Sequence, residues 1–219
     1  MTRGRFITLE GGEGAGKSAQ ARRLAARLRE LGLETVATRE PGGTPRAEAL
    51  RALILSGRLR EQGPAAEAIA FSAARIDHID ALIRPALKRG AWVVCDRFAD
   101  STRAYQGAAG RLAPLLVDRL EQVVVGADRP DLTLLLDLPP EQGLARAAVR
   151  RGGGEGADRF ESEGVEFHHT LRGAYLAIAR SAPERCVVID ASPDEDRVGE
   201  AIWAAVRSRL GLYLPAPAS

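Results

Sequence analysis

The sequence has few lysines, and it lacks any long apolar run. Only Lys17 and Lys88 are lysine among the 31 basic residues, so arginine supplies almost all of the positive charge. A formal net charge of +2 gives no broad basic surface, which argues against a nucleic-acid partner. No stretch approaches the roughly 18 consecutive apolar residues of a membrane-spanning helix. The sequence therefore predicts neither a membrane span nor a membrane partner.

Cysteine is also scarce, and no signal peptide is apparent in the sequence. Cys95 and Cys186 both lie in apolar, strand-like runs, which is typical of buried thiols in a reducing compartment. Residues 1–5 are polar and basic, but the apolar segment of a secretory signal peptide does not follow them. We therefore expect a cytoplasmic protein.

One motif stands out among the residues that are present. Residues 11–18 read Gly-Gly-Glu-Gly-Ala-Gly-Lys-Ser, a complete G-x-x-x-x-G-K-[ST] phosphate-binding loop between an apolar run and a helical pattern. Glycines let backbone N–H groups turn inward around an anion, and the helix start adds partial positive charge. Lys17 can reach the β- and γ-phosphates, and the Ser18 hydroxyl can bind Mg²⁺. The predicted triphosphate-binding residues are Gly11, Gly12, Glu13, Gly14, Ala15, Gly16, Lys17 and Ser18.

Strand-like and helix-like patterns alternate along the chain. This alternation predicts an α/β fold with a doubly wound parallel sheet and helices on both faces. We expect a single domain over residues 1–213 and a short tail at 214–219. The predicted strands are 5–10, 34–39, 91–96, 132–138 and 186–190. The predicted helices are 18–31, 46–56, 64–89, 111–126, 140–151, 162–181 and 193–210.

Charged residues follow the third predicted strand. Open α/β sheets bind ligands at the carboxyl ends of their strands. Asp96 at that end can hold Mg²⁺ near Ser18, directly or through water, and Arg97 can donate two bonds to a phosphate. An Asp–Arg ion pair with a purely structural role would show the same sequence. Asp137 and Asp190 also end strands, but no functional cluster accompanies them, so we expect structural roles or weak nucleotide contacts.

Three further segments suggest recognition of a base. Residues 38–44 contain a proline and two glycines, which predict a tight loop at the ligand edge of the sheet. Phe71 and Arg75 lie four residues apart on one helix face, where the ring can stack on a base while the arginine donates to a base carbonyl. Tyr105 and Gln106 add an aromatic ring and an amide, although residues 101–107 alone read as a loop. Core and surface roles remain open for each of these residues.

A glycine-rich segment interrupts the helical pattern at residues 150–159. It reads either as a solvated surface loop or as a lid that closes over a triphosphate. The phosphate-binding loop favours the lid, which we place at about residues 146–161. The arginines that bracket it are Arg146, Arg150, Arg151 and Arg159.

Taken together, these segments resemble thymidylate kinase, a P-loop nucleoside monophosphate kinase. The matching residues are 9–18, 39–44, 71–75, 96–98, 101–102, 105–107, 130–133 and 158–161. The resemblance implies a five-stranded parallel sheet with a short Arg/Gly-rich lid. It also implies transfer of the γ-phosphoryl group of ATP to dTMP, giving dTDP and ADP in dTTP biosynthesis, with Mg²⁺ and in a homodimer.

The same resemblance implies roles for individual residues. Phe71 is similar to the residue that stacks on thymine, Arg75 to the donor to its exocyclic oxygen, and Gln106 to the partner of the ring edge. Tyr105 would crowd a 2′-hydroxyl, and Glu13 would meet the 3′-hydroxyl of the acceptor. Arg51 and Arg97 resemble ligands of the dTMP phosphate. The implied dTMP-binding set is Glu13, Glu40, Arg51, Phe71, Arg75, Arg97, Ser101, Tyr105 and Gln106.

The family divides by the position of its catalytic arginine. Positions 12–15 of the phosphate loop hold no arginine, so the chain resembles the lid-arginine kind that is common among bacterial members. Glycines 152–154 leave open which lid arginine reaches the transferred phosphoryl group. The implied catalytic residues are Lys17, Arg97, Arg150, Arg151 and Arg159. Arg146 joins the ATP-binding set.

Other functions share the phosphate-binding loop. A kinase for another nucleoside monophosphate or for a deoxynucleoside is one alternative, and Glu40 or Asp96 could then act as a base toward a 5′-hydroxyl. A GTPase-like switch would carry Asn-Lys-x-Asp, which is absent because Gly16 and Leu87 precede the two lysines. A non-catalytic nucleotide-binding subunit is the third alternative.

Overall fold

Five parallel strands form one sheet in the computed structural model, which describes residues 3–151, 160 and 162–212. The strand order is β2-β3-β1-β4-β5, so β1 lies at the centre, and all four pairings are parallel. The predicted α/β sheet is therefore confirmed. The strands are β1 (Phe6–Glu10), β2 (Thr35–Arg39), β3 (Trp92–Asp96), β4 (Leu132–Asp137) and β5 (Cys186–Asp190).

Helices connect the strands and cover both faces of the sheet. α3 and α4 are joined by a π-helical turn at Ile79–Ile83, and a second π-helical segment at Arg103–Ala109 follows α5. The helices are α1 (Lys17–Glu30), α2 (Pro45–Leu55), α3 (Gly63–His78), α4 (Arg84–Lys88), α5 (Ala99–Thr102), α6 (Pro114–Val124), α7 (Pro140–Arg151), α8 (Val165–Ser181) and α9 (Glu195–Leu210).

Three predicted elements differ from the structure. The helix predicted at 64–89 contains the π-helical turn, which ends just before Pro85, a residue without an N–H to continue the α-helical ladder. Residues 101–107, which alone read as a loop, are helical because their side chains are buried rather than solvated. The helix predicted from residue 111 begins at Pro114, since Arg111 has a positive φ of 57°.

The core lies on both faces of the sheet. On one face, leucines of β4 pack against α1 and α9, including Leu28 and Trp203. On the other face, Phe6 and Val93 pack against the π-helical turn between α3 and α4. Cys95 and Cys186 are buried as predicted, and neither forms a disulfide. In the part of the chain that the structure describes, no helix is long and apolar enough to cross a membrane.

Candidate active site

The phosphate-binding loop joins the central strand β1 to α1. Gly11, Gly14 and Gly16 have φ values of 144°, 68° and 84°, which residues with a Cβ rarely adopt. Lys17 begins α1, and its Nζ donates to the carbonyl oxygen of Gly12 at 2.6 Å. The lysine therefore folds back over the loop, where its charge faces the concave backbone.

The Lys17 ammonium group is buried with only 7% of the residue exposed. Burial and the neighbouring Arg97 guanidinium lower the pKa of Lys17 to about 8, although Glu13 and Asp96 oppose the change. A bound phosphate would add negative charge and favour the protonated amine.

Backbone contacts fix the loop against the start of α7. A Cβ atom on Gly14 would lie 1.9 Å from the carbonyl oxygen of Gly143, and one on Gly143 would lie 2.3 Å from the carbonyl oxygen of Glu13. Only glycine fits at these two positions. The phosphate loop thus touches the helix that leads into the predicted lid.

Ser18 and Asp96 meet at the carboxyl ends of β1 and β3. The Ser18 hydroxyl donates to Asp96 Oδ2. Asp96 Oδ1 is buried and accepts no hydrogen bond from the described residues. A hydroxyl and an unsatisfied carboxylate oxygen suit a hard divalent cation that completes its shell with phosphate oxygens and water. The described residues contain no cluster of three or more His, Cys, Asp or Glu side chains that could hold a metal ion.

Glu13 and Arg97 form the centre of the site. Arg97 Nη2 donates to Glu13 Oε1 at 2.8 Å, and the Tyr105 hydroxyl donates to the same oxygen at 2.5 Å. Burial would raise the pKa of Glu13, but Arg97, Lys17 and the Tyr105 hydroxyl together lower it to about 2. Glu13 is therefore an anion at neutral pH. It can accept a hydrogen bond but cannot act as a general acid.

Arg75 lies at the far end of the site and is held from three sides. Its Nε donates to Glu40 Oε2 at 2.7 Å, and its two Nη atoms donate to Thr102 Oγ1 and to the Phe98 carbonyl oxygen at 3.1 Å each. These bonds use three of the five N–H groups of a guanidinium. The side chain is fixed in place and has donors left for a ligand.

His78 completes the polar group behind Arg75, and it has no place in the sequence prediction. The fully buried imidazole joins Thr38 Oγ1 at 2.8 Å to Glu40 Oε1 at 3.0 Å. Glu40 thus bridges His78 and Arg75. The short spacing between Arg75 and His78 on α3 is the only sequence signal that could have pointed to it.

Aromatic rings line the same end. Tyr105 and Phe160 meet edge to face at 5.0 Å between ring centroids, and Phe71 lies 6.4 Å from Phe160. Gln106 is buried, and its Nε2 donates to Glu67 Oε2 at 3.4 Å. The group combines apolar ring faces with an amide and a guanidinium, as binding of a planar polar ring requires.

Both ends open into one cleft of about 520 Å³. Arg22, Arg39 and Thr102 also line the cleft. Arg39 and Thr102 belong to segments that carry the family resemblance, but none of the three was predicted as a site residue. The predicted site residues in its lining are Glu13, Gly14, Gly16, Lys17, Ser18, Glu40, Arg51, Phe71, Arg75, Asp96, Arg97, Ser101, Tyr105, Gln106, Arg146 and Arg150.

A few predicted site residues lie elsewhere. Gly11 and Gly12 line a small neighbouring cavity, and the Ala15 side chain packs in the core. Arg146 lines the cleft itself, and it also donates to the carbonyl oxygens of Ala191 and Ser192 at 2.7 and 2.8 Å. The Arg151 side chain, Arg159, most of the predicted lid and the tail at 214–219 fall outside the described residues.

Comparison with known proteins identifies the family. The model of the family described as thymidylate kinase matches residues 9–202. The chain belongs to the thymidylate kinase family. It is similar to a thymidylate kinase of Bradyrhizobium diazoefficiens, with 56% identity over 99% of this chain and 93% of the relative. It is 58% identical to one of Rhodopseudomonas palustris over 95% of this chain and 90% of the relative.

Comparison with a solved structure supports the same family. The crystal structure of thymidylate kinase from Ehrlichia chaffeensis matches with a TM-score of 0.75 and 30% identity, covering 93% of this chain and 99% of that chain. The predicted P-loop nucleoside monophosphate kinase fold is confirmed, as are the predicted thymidylate kinase activity and ATP as the family's phosphoryl donor. The alternative of another nucleotide kinase is not favoured.

Proposed function

We propose that the cleft holds ATP and dTMP end to end and transfers the γ-phosphoryl group between them, using the residues assigned below. The observation that supports this most is the Glu13–Arg97–Tyr105 cluster. It joins the phosphate loop to the aromatic end of one continuous cleft. Two ligands lying on either side of this cluster would meet at Arg97.

At the ATP end, the loop backbone and Lys17 hold the β- and γ-phosphates. Arg146 lies beside the backbone of Ala191 and Ser192, where it can line the nucleoside end of ATP. Mg²⁺ would be held by Ser18 and Asp96, whose oxygen atoms suit it. When bound, it supplies positive charge to the phosphate oxygens.

At the dTMP end, Phe71 stacks on thymine while Arg75 and Gln106 donate to its polar edges. Glu40 keeps the Arg75 fork in position. Tyr105 is anchored through its hydroxyl to Glu13, so its ring can stand against the sugar. Arg97, Arg51 and Ser101 bind the phosphate of the acceptor.

Alignment and charge neutralisation carry the chemistry. The attacking oxygen belongs to a phosphate monoester that is already anionic near neutral pH, so the site needs no general base. Glu13 remains ionised and accepts from the 3′-hydroxyl. Lys17, Arg97 and a lid arginine among Arg150, Arg151 and Arg159 stabilise the charge that spreads over the transferred group.

The proposal extends to assembly and location. We place a single domain at residues 1–213 with its lid at about 146–161. Exposed apolar side chains on α3 and α6 support a homodimer. Two buried cysteines without a disulfide support action in the cytoplasm.

A coupled assay of ADP release tests the acceptor. The wild-type enzyme is given ATP, Mg²⁺ and, in turn, dTMP, dUMP, dGMP, dCMP, AMP and thymidine. We expect a higher kcat/KM with dTMP than with dGMP, dCMP, AMP or thymidine, since the stacking face and the Arg75 and Gln106 donors suit a pyrimidine with carbonyl oxygens and Arg97 binds a phosphate. Higher activity with a purine monophosphate or with thymidine would contradict the assignment of this cleft.

A further inference from the structure

Glu10, the last residue of β1, is buried beneath the site with 1% of its surface exposed. Both of its carboxylate oxygens are used. Oε1 accepts from the backbone N–H of Phe98 at 2.8 Å, and Oε2 accepts from the Ser101 hydroxyl at 2.6 Å. The Tyr175 hydroxyl of α8 also approaches Oε2, at 3.3 Å. One side chain thus connects the central strand, the segment after β3 and α8.

Arg97 lies directly in this connection. It has a φ of 69°, a conformation that costs energy for a residue with a side chain and needs outside support. Its backbone N–H donates to the Leu9 carbonyl oxygen at 2.9 Å, and the next N–H, of Phe98, donates to Glu10. The last two residues of β1 therefore hold the backbone on both sides of Arg97.

The side chain of Arg97 is held in part by the Gly11 carbonyl oxygen, to which Nη1 donates at 3.2 Å, and in part by two hydroxyls that contact Glu10. Its Nη1 donates to Ser101 Oγ at 3.4 Å and to the Tyr175 hydroxyl at 3.3 Å, the two hydroxyls that contact Glu10. Its Nη2 remains directed at Glu13. Losing Glu10 would leave both hydroxyls without their shared acceptor.

We propose that Glu10 is the positioning residue for Arg97, fixing its strained backbone and the hydroxyls that orient its guanidinium. The inference rests on the proposed role of Arg97 as a ligand of the dTMP phosphate. Glu10 does not line the cleft, so it acts through Arg97 and not on the substrate.

The ionisation of Glu10 makes this role testable through its pH dependence. Burial and the nearby Asp100 carboxylate raise the pKa of Glu10 to about 7, against the lowering effects of Ser101, Arg97 and the Phe98 N–H. The charge of Glu10 in turn acts to raise the pKa of Lys17 and that of the nearby Tyr175 hydroxyl. Above this pH the carboxylate accepts from both donors; below it, one oxygen becomes a donor itself.

Glu10→Gln and Glu10→Ala test the proposal against Thr8→Val. Thr8 is the control because it is equally buried in β1 and loses one hydrogen bond, the 2.9 Å contact with Thr133 Oγ1, away from Arg97. KM for dTMP, KM for ATP and kcat are measured between pH 6 and 9, below each variant's melting temperature. Dividing each variant's KM or kcat by the wild-type value at the same pH cancels the effect of titrating the dTMP phosphate.

We expect Glu10→Ala to raise KM for dTMP about tenfold or more and to lower kcat, with KM for ATP near wild type. Glutamine copies the protonated acid, because its oxygen accepts from Phe98 and its amide donates to Ser101. KM for dTMP of Glu10→Gln, divided by the wild-type KM at the same pH, should thus be near one at pH 6 and rise severalfold above pH 7. Thr8→Val should give a flat ratio near one.

A flat Glu10→Gln ratio, or an unchanged KM for dTMP in a folded Glu10→Ala enzyme, would overturn the inference. If the alanine variant does not fold, the glutamine ratio still decides. Arg97→Gln separates this failure from that of the proposed function. Normal dTMP binding by Arg97→Gln would remove the assigned role of Arg97, whereas impaired binding with normal Glu10 variants would remove only the role of Glu10.

Discussion

At the scale of single residues, two buried carboxylates near the phosphate loop behave in opposite ways. Glu13 has a pKa lowered to about 2, whereas that of Glu10 is raised to about 7. Burial raises both, so their neighbours make the difference. Glu13 faces the cations of Arg97 and Lys17, while Glu10 also faces the carboxylate of Asp100.

Lys17→Ala removes the cation that folds over the phosphate loop. We expect the chemical step to lose roughly 3–5 kcal/mol of transition-state stabilisation, because a preorganised charge next to the transferred group disappears. Single-turnover measurement of ADP formation checks this. Lys88→Ala is the matched control, since it is the only other lysine and it is exposed on α4. Near-normal turnover in Lys17→Ala would remove the lysine from the mechanism.

Glu10 also makes stability depend on pH. Folding raises its pKa from 4.5 to about 7, so the stabilisation of the protonated form is complete below pH 4.5 and is lost as pH rises through 7. At 1.36 kcal/mol per pKa unit, the loss is about 3 kcal/mol.

Glu10→Gln lacks this loss, so its free energy of unfolding relative to wild type should increase by up to about 3 kcal/mol between pH 5 and pH 8. Urea unfolding at the two pH values measures the change. A relative stability that stays constant would mean that Glu10 titrates normally in the folded protein.

At the scale of elements, α7 connects the phosphate loop to the segment where we place the lid. The loop backbone at Gly14 touches Gly143 in the first turn of α7, and Arg146 and Arg150 follow along the same helix. A movement of the loop upon binding a phosphate would therefore displace the first turn of α7, the helix that carries Arg146 and Arg150.

Substitution of the lid arginines tests where the catalytic cation lies. Arg150→Ala, Arg151→Ala and Arg159→Ala should mainly lower kcat, and the triple variant should lower it most, since these cations act on charge that develops in the transition state. Steady-state ADP release measures kcat. Arg180→Ala on the exposed side of α8 serves as control. Wild-type kcat in all three variants and in their combination would reject a lid arginine.

The elements also show what the sequence could predict. Apolar runs located all five strands to within one residue at each end, because a parallel sheet buries both faces of its central strands and part of its edge strands β2 and β5. Residues 99–109 escaped prediction because their helix depends on burial against α8, a distant contact. Glu10 and His78 escaped for the same reason: their partners come from other elements.

At the scale of the whole molecule, the chain leaves apolar side chains exposed on two neighbouring helices. Ile69 and Ile76 of α3 are 57% and 44% exposed, and Leu115 and Val123 of α6 are 67% and 82% exposed. The two helices pack against each other. Exposed apolar side chains on two neighbouring helices are the basis on which we propose association through this face.

We expect the wild-type protein to sediment as a dimer and Ile69→Glu to sediment as a monomer, since a buried, unpaired carboxylate opposes association. Analytical ultracentrifugation over a range of concentrations measures this. Val188→Glu on the edge strand β5, where Val188 is 46% exposed, is the matched control. A wild-type monomer at all concentrations would exclude the homodimer.

The near-absence of lysine, combined with the lowered pKa of Lys17, has a practical consequence. Acylating reagents react only with neutral amines, which are the nucleophiles in this reaction. At pH 7 a pKa of about 8 leaves Lys17 neutral in about one molecule in ten. An amine-selective label should thus react at Lys17 in the phosphate loop as well as at the N-terminal α-amino group, and bound ATP should shield Lys17. The protein carries its own reporter of nucleotide occupancy.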